Sequence, residues 1–297
     1  MSAVPGLTSV ITVNFNAGDL LLASARAVLD SRAPVELIVI DNGSSDGSIA
    51  QLRRAVGGDP RVRIVENGAN LGFARANNIA VDWATGDHLL FLNPDCLVRP
   101  ETIGAIREAL DAHPTAAIAG CLILNPDGSE QAGCRRSVPT PWRALVRALG
   151  LARVFPYHRK LFDDFVLAHQ PLPSGPVAVE AISGAFMFVQ RAAMDAVGRM
   201  DEGYFLHCED LDWCMRFRAA GREILFVPTV AVTHHKGYCS RKRPIRVLWH
   251  MHRGMVRFYG KFFRHQYPAP LLWAVTVGVW ARFGIMAART ALRREQS

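Results

Sequence analysis

No C-x-x-C pair occurs in this chain, and its six cysteines (Cys96, Cys121, Cys134, Cys208, Cys214, Cys239) are scattered. Isolated thiols of this kind point to a reduced, cytosolic compartment rather than a disulfide framework. The N-terminus M-S-A-V-P-G-L lacks the basic and long apolar regions of an export signal, so none is expected. No stretch reaches the roughly 18–20 apolar residues that a membrane span needs. The nearest, L-L-W-A-V-T-V-G-V-W-A at 271–281, is cut by Arg282, and no span is expected. A G-x-G-x-x-G after the first strand is missing, which argues against a dinucleotide oxidoreductase, and so is the G-x-x-x-x-G-K-[ST] of a P-loop. There is no internal repeat. Acidic residues are almost absent from one region: from Arg241 to Ser297 there are 12 Lys and Arg against Glu295 alone.

What is present is a chain long enough, at 297 residues, to bury a full core. Half of its residues are apolar and 20% charged, a globular composition. The net charge of +8 divides into about −3 over the first 240 residues and +11 over the rest. A near-neutral domain (1–240) with a basic extension (241–297) is the organisation this predicts. Short apolar runs at 8–13, 35–40, 61–65 and 88–92 read as strands, with helix patterns between them at about 19–30, 47–56, 73–84 and 100–112. Continuous rather than alternating apolarity suits strands covered on both faces, and strand–helix alternation points to an α/β fold with a mostly parallel sheet. The stretch 125–180 reads as long loops with weak helical patterns near 141–152 and 158–168. Regularity returns with a strand at 181–189, a helix near 209–220 and a strand at 223–228.

In an open parallel sheet, ligands collect at the carboxyl ends of the strands. The four predicted strands end on Asn14-Phe15-Asn16, Asp41-Asn42-Gly43-Ser44-Ser45-Asp46-Gly47, Glu66-Asn67-Gly68-Ala69-Asn70-Leu71-Gly72 and Asn93-Pro94-Asp95. Any one of these is an ordinary turn or helix cap. Four in succession describe a site.

V-N-F-N, D-N-G-S-S-D-G-S, N-L-G-F-A-R-A-N-N, N-P-D and H-C-E-D-L-D-W follow one another over residues 8–240. In this order they resemble the motifs of family 2 inverting glycosyltransferases of the GT-A fold. N-L-G-F with N-P-D and E-D-x-D-x-x-x-R is similar to the bacterial rhamnosyltransferases of O-antigen and cell-wall assembly. The resemblance implies a GT-A fold with a nucleotide-sugar half at about 1–125 and an acceptor half at about 126–240. It also implies a nucleotide-sugar donor, dTDP-rhamnose foremost, and a membrane-linked glycan acceptor at the cytoplasmic face.

Residue by residue, the resemblance places Asp41 on the imide N–H of a uracil or thymine and the backbone of Val13 and Asn14 around base and ribose. Asn70 and Arg75 would lie over the nucleotide and its diphosphate, and Asn93 near the ribose. Asp95 takes the place of the last acid of a D-x-D motif, and would hold Mg²⁺ or Mn²⁺ with His234 or His235 as a further ligand. Asp210 is implied as the general base and Glu209 as a group that orients acceptor or loop. Asp212 is expected to pair with Arg216 one turn on. Ser183 and Gly184 would form the loop under the donor sugar. A UDP-hexose donor, or a non-catalytic nucleotide-sugar-binding or scaffold protein of the same fold, are the alternatives.

Read as a helix, 245–264 places Arg246, Arg253, Arg257, Lys261 and Arg264 within about 80° of one another. Leu248, Met251, Met255, Phe258, Tyr259 and Phe262 lie opposite. Such a helix either packs on the catalytic domain or meets an anionic membrane surface. Nothing resembling a nucleic-acid module is present.

Overall fold

The computed structural model describes residues 3–148, 165, 167–237 and 244–295. The first half follows the predicted alternation: β1 (Val4–Asn14), α1 (Asp19–Leu29), β2 (Val35–Asp41), α2 (Ser48–Val56), β3 (Val62–Glu66), α3 (Phe73–Val81), β4 (Gly86–Leu92), β5 (Cys96–Leu97) and α4 (Thr102–Asp111). Next come β6 (Ala116–Leu124), β7 (Arg135–Arg136) and α5 (Pro141–Ala148), and then β8 (Val177–Val179), β9 (Ala181–Ile182), β10 (Phe186–Gln190) and α6 (Arg191–Val197). The chain continues with α7 (Glu209–Ala219), β11 (Glu223–His234), α8 (Pro244–Phe262) and α9 (Ala269–Glu295). The expected helix at 158–168 lies mostly outside the described residues, apart from a short 3₁₀ turn at Leu167–His169.

The main sheet has the order β3-β2-β1-β4-β10-β6-β11-β5, with β8 also on β11. Strands β1, β2, β3, β4, β6 and β11 run one way, and β5, β8 and β10 the other. Successive side chains on a strand point to opposite faces, so Ile11, Ile38 and Phe91 enter one core while Val10, Leu37 and Leu90 enter the other. This is why the strands read as unbroken apolar runs. Helices α1, α2 and α4 cover the second face. The first is covered by α3, α6, α7 and α8.

Two strands went beyond the sequence pattern. A-A-I-A-G-C-L-I-L at 116–124, now β6, was not expected, because Ala and Gly carry little strand propensity even in a fully buried strand. The expected strand at 223–228 continues through Pro228 to His234 as β11. Its pairing with β6 shifts register between Val227 and Ala231, where proline cannot donate to the ladder. The predicted strand at 181–189 is split by Ser183-Gly184-Ala185 into β9 and β10.

The C-terminal extension corrects one expectation. Helix α9 runs unbroken through Arg282, and over Ala269–Arg293 it is long and apolar enough to cross a membrane by length and composition, with mean hydropathy 1.6. An α-helix tolerates one arginine inside an apolar run because a long side chain can carry its charge outward. Helix α8 packs on the catalytic face: Phe258 and Tyr259 are buried in the same core as Trp213 and Phe217. Burying each such ring stabilises the docking by about 2 kcal/mol.

Candidate active site

Parallel register sets the first wall of the site. Asn14 on β1 lies opposite Asp41 on β2, and Asp41 opposite Glu66 on β3, so three strands end at one level. Asn14 is fully buried. Its amide donates to Asp41 Oδ1, Ser44 Oγ and Ser48 Oγ, each at 2.9 Å. Asp41 Oδ2 accepts from the Ser44 N–H at 3.0 Å. Asn14 is therefore the support that holds Asp41 at the strand end. Each Asp41 oxygen retains a lone pair for a donor on a ligand. The Val13 side chain belongs to the core, leaving its backbone at the edge.

Asn42, which the sequence did not single out, ties in the third strand end. Its Nδ2 donates to Asn70 Oδ1 at 3.1 Å and its Oδ1 accepts from Leu71 N–H at 3.1 Å. Asn70 Oδ1 also caps the Gly72 N–H at 3.0 Å. Arg75, exposed on α3, sits 3.9 Å from Glu202 Oε2.

The second wall is Asn93-Pro94-Asp95. Strand β5 pairs antiparallel with the end of β11, placing His234 opposite Cys96. His234 Nε2 thereby comes within 3.1 Å of Asp95 Oδ1 and 3.3 Å of Asn93 Nδ2. Both Asp95 and His234 are buried. His235 donates its backbone N–H to the Asp95 carbonyl at 2.9 Å.

The imidazole tautomer follows from Gln131. Its Nε2 donates to the His234 carbonyl at 3.3 Å and to Asn125 Oδ1 at 2.9 Å, so its Oε1 is the atom that faces His234 Nδ1 at 2.7 Å. Nδ1 then carries a proton. In the neutral ring Nε2 is free to accept beside the Asp95 carboxylate, from Asn93 Nδ2 or from a cation, and a neighbour fixing the far ring nitrogen is the usual support of a metal-binding histidine. The 3.1 Å separation of Nε2 and Asp95 Oδ1 also matches adjacent ligands on an octahedral ion, about 3.0 Å for bonds of about 2.1 Å. Among the described residues no larger His/Cys/Asp/Glu cluster exists. Two protein ligands with the rest from substrate phosphates is a set that suits Mg²⁺ or Mn²⁺.

The third element opens α7. His207 and Cys208 both adopt left-handed backbone, at φ 69° and 72°, an uncommon pair for non-glycine residues that turns the chain sharply into Glu209-Asp210. Asp210 Oδ2 accepts from the Gly184 N–H at 3.0 Å and from the Arg136 guanidinium, and Oδ1 accepts from the Leu211 N–H at 2.8 Å. A Cβ on Gly184 would stand 3.3 Å from the Asp210 Cβ, so any side chain there presses on the carboxylate. Arg136 was not singled out from the sequence; it arrives through the β7–β9 ribbon. Ser183 Oγ accepts from the Ala185 N–H at 3.2 Å and shapes the same loop. The Ala185 carbonyl accepts from the Asn93 N–H at 3.0 Å. Asn93 and Asp210 are therefore anchored on adjacent residues, Ala185 and Gly184. Asp212 pairs with Arg216 as expected, at 2.8 Å, and also with Lys261 at 2.6 Å.

Glu209 is buried and its Oε2 has no hydrogen-bond partner. Burial, and then the neighbouring Asp210 charge, push its carboxyl up to about 8. An acid raised in the folded state binds more protons there than in the unfolded chain, so stability falls as pH rises from about 4.5 to about 8. Glu209→Gln, neutral throughout, is expected to gain at least about 1 kcal/mol over the parent at pH 9 and nothing at pH 4, by urea denaturation. Equal stabilities at pH 9 would show that Glu209 ionises freely.

Comparison with known proteins gives the family. The Glycosyl transferase family 2 model matches residues 9–161. Over 302 aligned residues the chain is 30% identical to the N-acetylglucosaminyl-diphospho-decaprenol L-rhamnosyltransferase of Mycobacterium tuberculosis (strain CDC 1551 / Oshkosh), with 97% of this chain and 94% of that one covered. It is 26% identical to the rhamnosyltransferase WbbL of Escherichia coli K12, covering 62% of this chain and 69% of that one. Among solved structures, a mannosyltransferase of Pyrobaculum calidifontis in complex with GDP-Man and Mn²⁺ superposes with TM-score 0.59 at 18% identity, covering 96% of this chain and 75% of that one. The chain belongs to glycosyltransferase family 2, and its fold is of the GT-A type. It is a glycosyltransferase whose relatives include rhamnosyltransferases.

Proposed function

We propose that the protein is an inverting, divalent-metal-dependent glycosyltransferase that moves L-rhamnose from dTDP-rhamnose to a sugar on a diphospho-polyprenol at the cytoplasmic membrane face. The observation that carries this reading is the anchoring of N-P-D and Asp210 on the adjacent residues Gly184 and Ala185. Both hydrogen bonds tie the Asn93-Pro94-Asp95 turn and Asp210 to one loop, which supports a donor-side cation and an acceptor-side base working at the same centre. The rhamnosyl donor and lipid-linked acceptor are carried over from the mycobacterial relative, which aligns over nearly the whole chain.

In this mechanism Asp41 accepts from the base N–H, and Ser183-Gly184 lies under the sugar. Asp95 and His234 would hold Mg²⁺ or Mn²⁺, whose charge offsets the negative charge growing on the departing nucleoside diphosphate. Asp210 takes the proton of the acceptor hydroxyl as that oxygen attacks the anomeric carbon from the side opposite the diphosphate. One displacement inverts the centre, and no second catalytic carboxylate is required. Arg136, Gly184 N–H and Leu211 N–H hold the base in its direction of attack.

A thermal-shift panel of nucleotide sugars with Mn²⁺ tests the donor. At about 100 times Kd a ligand stabilises by about 2.7 kcal/mol, so dTDP-rhamnose is expected to raise Tm by about 5 °C or more. UDP-hexoses are expected to give smaller shifts, since Asp41 sees the same N–H in both bases and the sugar must discriminate. A larger shift with a UDP-hexose would replace rhamnose, and no shift with any donor would remove the reading.

Membrane attachment is assigned to α9. Counted at about 100° per residue, Arg282, Arg289 and Arg293 share one strip, and Trp273, Val277 and Trp280 cover the opposite side. Trp273 is 71% exposed. This pattern suits a helix lying in an anionic interface, its arginines at the headgroups. Trp273→Asp with Val277→Asp, both exposed, is expected to lower binding to phosphatidylglycerol vesicles by at least about tenfold with unchanged Tm. Unchanged vesicle binding would remove α9 from this role.

A further inference from the structure

Helix α8 shows one basic face to the loop before α7, and the two halves of that face differ. At its C-terminal end the cations are answered by acids: Arg257 pairs with Asp201 at 2.9 Å, and Lys261 with Asp201 at 2.7 Å and Asp212 at 2.6 Å. At its N-terminal end, Arg246, His250 and Arg253 follow at helical spacing (i, i+4, i+7) and have no acidic partner among the described residues. They rest on rings instead. His250 stacks on Phe205 at 4.1 Å, Arg246 stands 5.9 Å from the same ring, and Arg253 lies 5.2 Å from Trp249. Burial and then Arg246 and Arg253 hold the His250 imidazole below its ordinary pKa.

Uncompensated like charges crowded together cost free energy, and an anion placed among them recovers it. The location is specific. A Cβ on Gly254 would stand 2.8 Å from the His207 carbonyl, so the missing side chain lets α8 settle directly on the turn that presents Glu209 and Asp210. The unanswered half of the face therefore borders the catalytic base, and it lies on the helix that packs against the apolar α9 (His252 to Phe283, 5.6 Å). From Arg246 to Arg253 the face extends about 10 Å, enough to flank two linked phosphates.

We propose that Arg246, His250 and Arg253 form the seat for the diphosphate of a prenyl-linked acceptor. This rests on the acceptor class assigned above and adds the residues that hold it. The acceptor sugar, one bond from the diphosphate, is then presented to Asp210 while the prenyl chain runs out beside α9. The seat is separate from the cation pair Asp95–His234 that serves the donor.

Calorimetric titration of the full-length protein in detergent with farnesyl diphosphate tests it, with dTDP plus Mn²⁺ as the donor-side probe. Arg246→Ala with Arg253→Ala is expected to weaken farnesyl diphosphate binding by at least about tenfold and to leave dTDP affinity within about twofold. Arg246→Lys with Arg253→Lys, keeping the charges, is expected to recover most of the loss. Unchanged farnesyl diphosphate binding in the alanine variant would overturn the proposal. So would an equal loss of dTDP binding, which would move the cluster to the donor, or a loss confined to phosphatidylglycerol vesicles, which would make it a general membrane contact. A parent protein that binds farnesyl diphosphate in this arginine-dependent way but binds no nucleotide keeps this site and removes the donor reading instead.

Discussion

Replacing Asp210 with Asn is expected to lower sugar transfer by about 10³-fold or more while nucleotide-sugar binding stays within about twofold. General-base catalysis contributes about 10² to 10⁴, and the amide cannot take the acceptor proton. The substitution keeps the shape of the side chain, so Gly184 still packs against it. It does alter the partnership with Arg136, because an amide answers a guanidinium far less well than a carboxylate. Binding must therefore be measured alongside turnover. The diagnostic pattern is a collapsed kcat with an intact donor Kd by calorimetry. Transfer at the parent rate by Asp210→Asn would refute the assignment of the base, and would turn attention to Glu209, whose raised carboxyl is the other acid at that turn.

The second large effect is expected from Asp95→Ala. Removing this carboxylate takes one of two protein ligands from the proposed cation and leaves His234 Nε2 facing Asn93 alone. Stabilising charge on a leaving diphosphate is worth several kcal/mol, so transfer is expected to fall by at least about 10³-fold, with each tenfold corresponding to about 1.4 kcal/mol. Mn²⁺ affinity, read by electron paramagnetic resonance of the free ion in the presence of dTDP, is expected to weaken by at least about tenfold. Parent activity that persists in excess chelator would remove the cation from the mechanism altogether, whatever the variant does.

Much of this site is written locally. Asn14, Asp41 and Asp95 each stand directly at or just after the end of a strand whose apolar run is unmistakable, and the parallel register does the rest. Glu209 and Asp210 stand at a helix start that the E-D-L-D-W pattern marks. Other members carry no local mark. Gln131 lies in an unremarkable loop and reaches His234 across 103 positions, and Arg136 reaches Asp210 across 74. A polar side chain in a loop reads the same whether it faces water or a catalytic group. Asn42 was visible only as part of a turn, yet it binds three loop residues at once.

The sequence by itself determined the alternation of strands and helices, the polar strand ends, and the excess of positive charge after residue 240, because periodicity and turn chemistry act over a few residues. The tertiary structure alone decided that β10 runs antiparallel between β4 and β6, that β11 bends past Pro228 to bring His234 against Asp95, and that α8 docks on the turn before α7. Those outcomes rest on which apolar faces find each other and which buried acceptors find donors. They are contacts between distant segments, and no local pattern encodes a partner that lies a hundred residues away. Helix α8 illustrates the division: its basic face was legible as a stripe, but only docking decided that Arg257 and Lys261 are answered by Asp201 and Asp212.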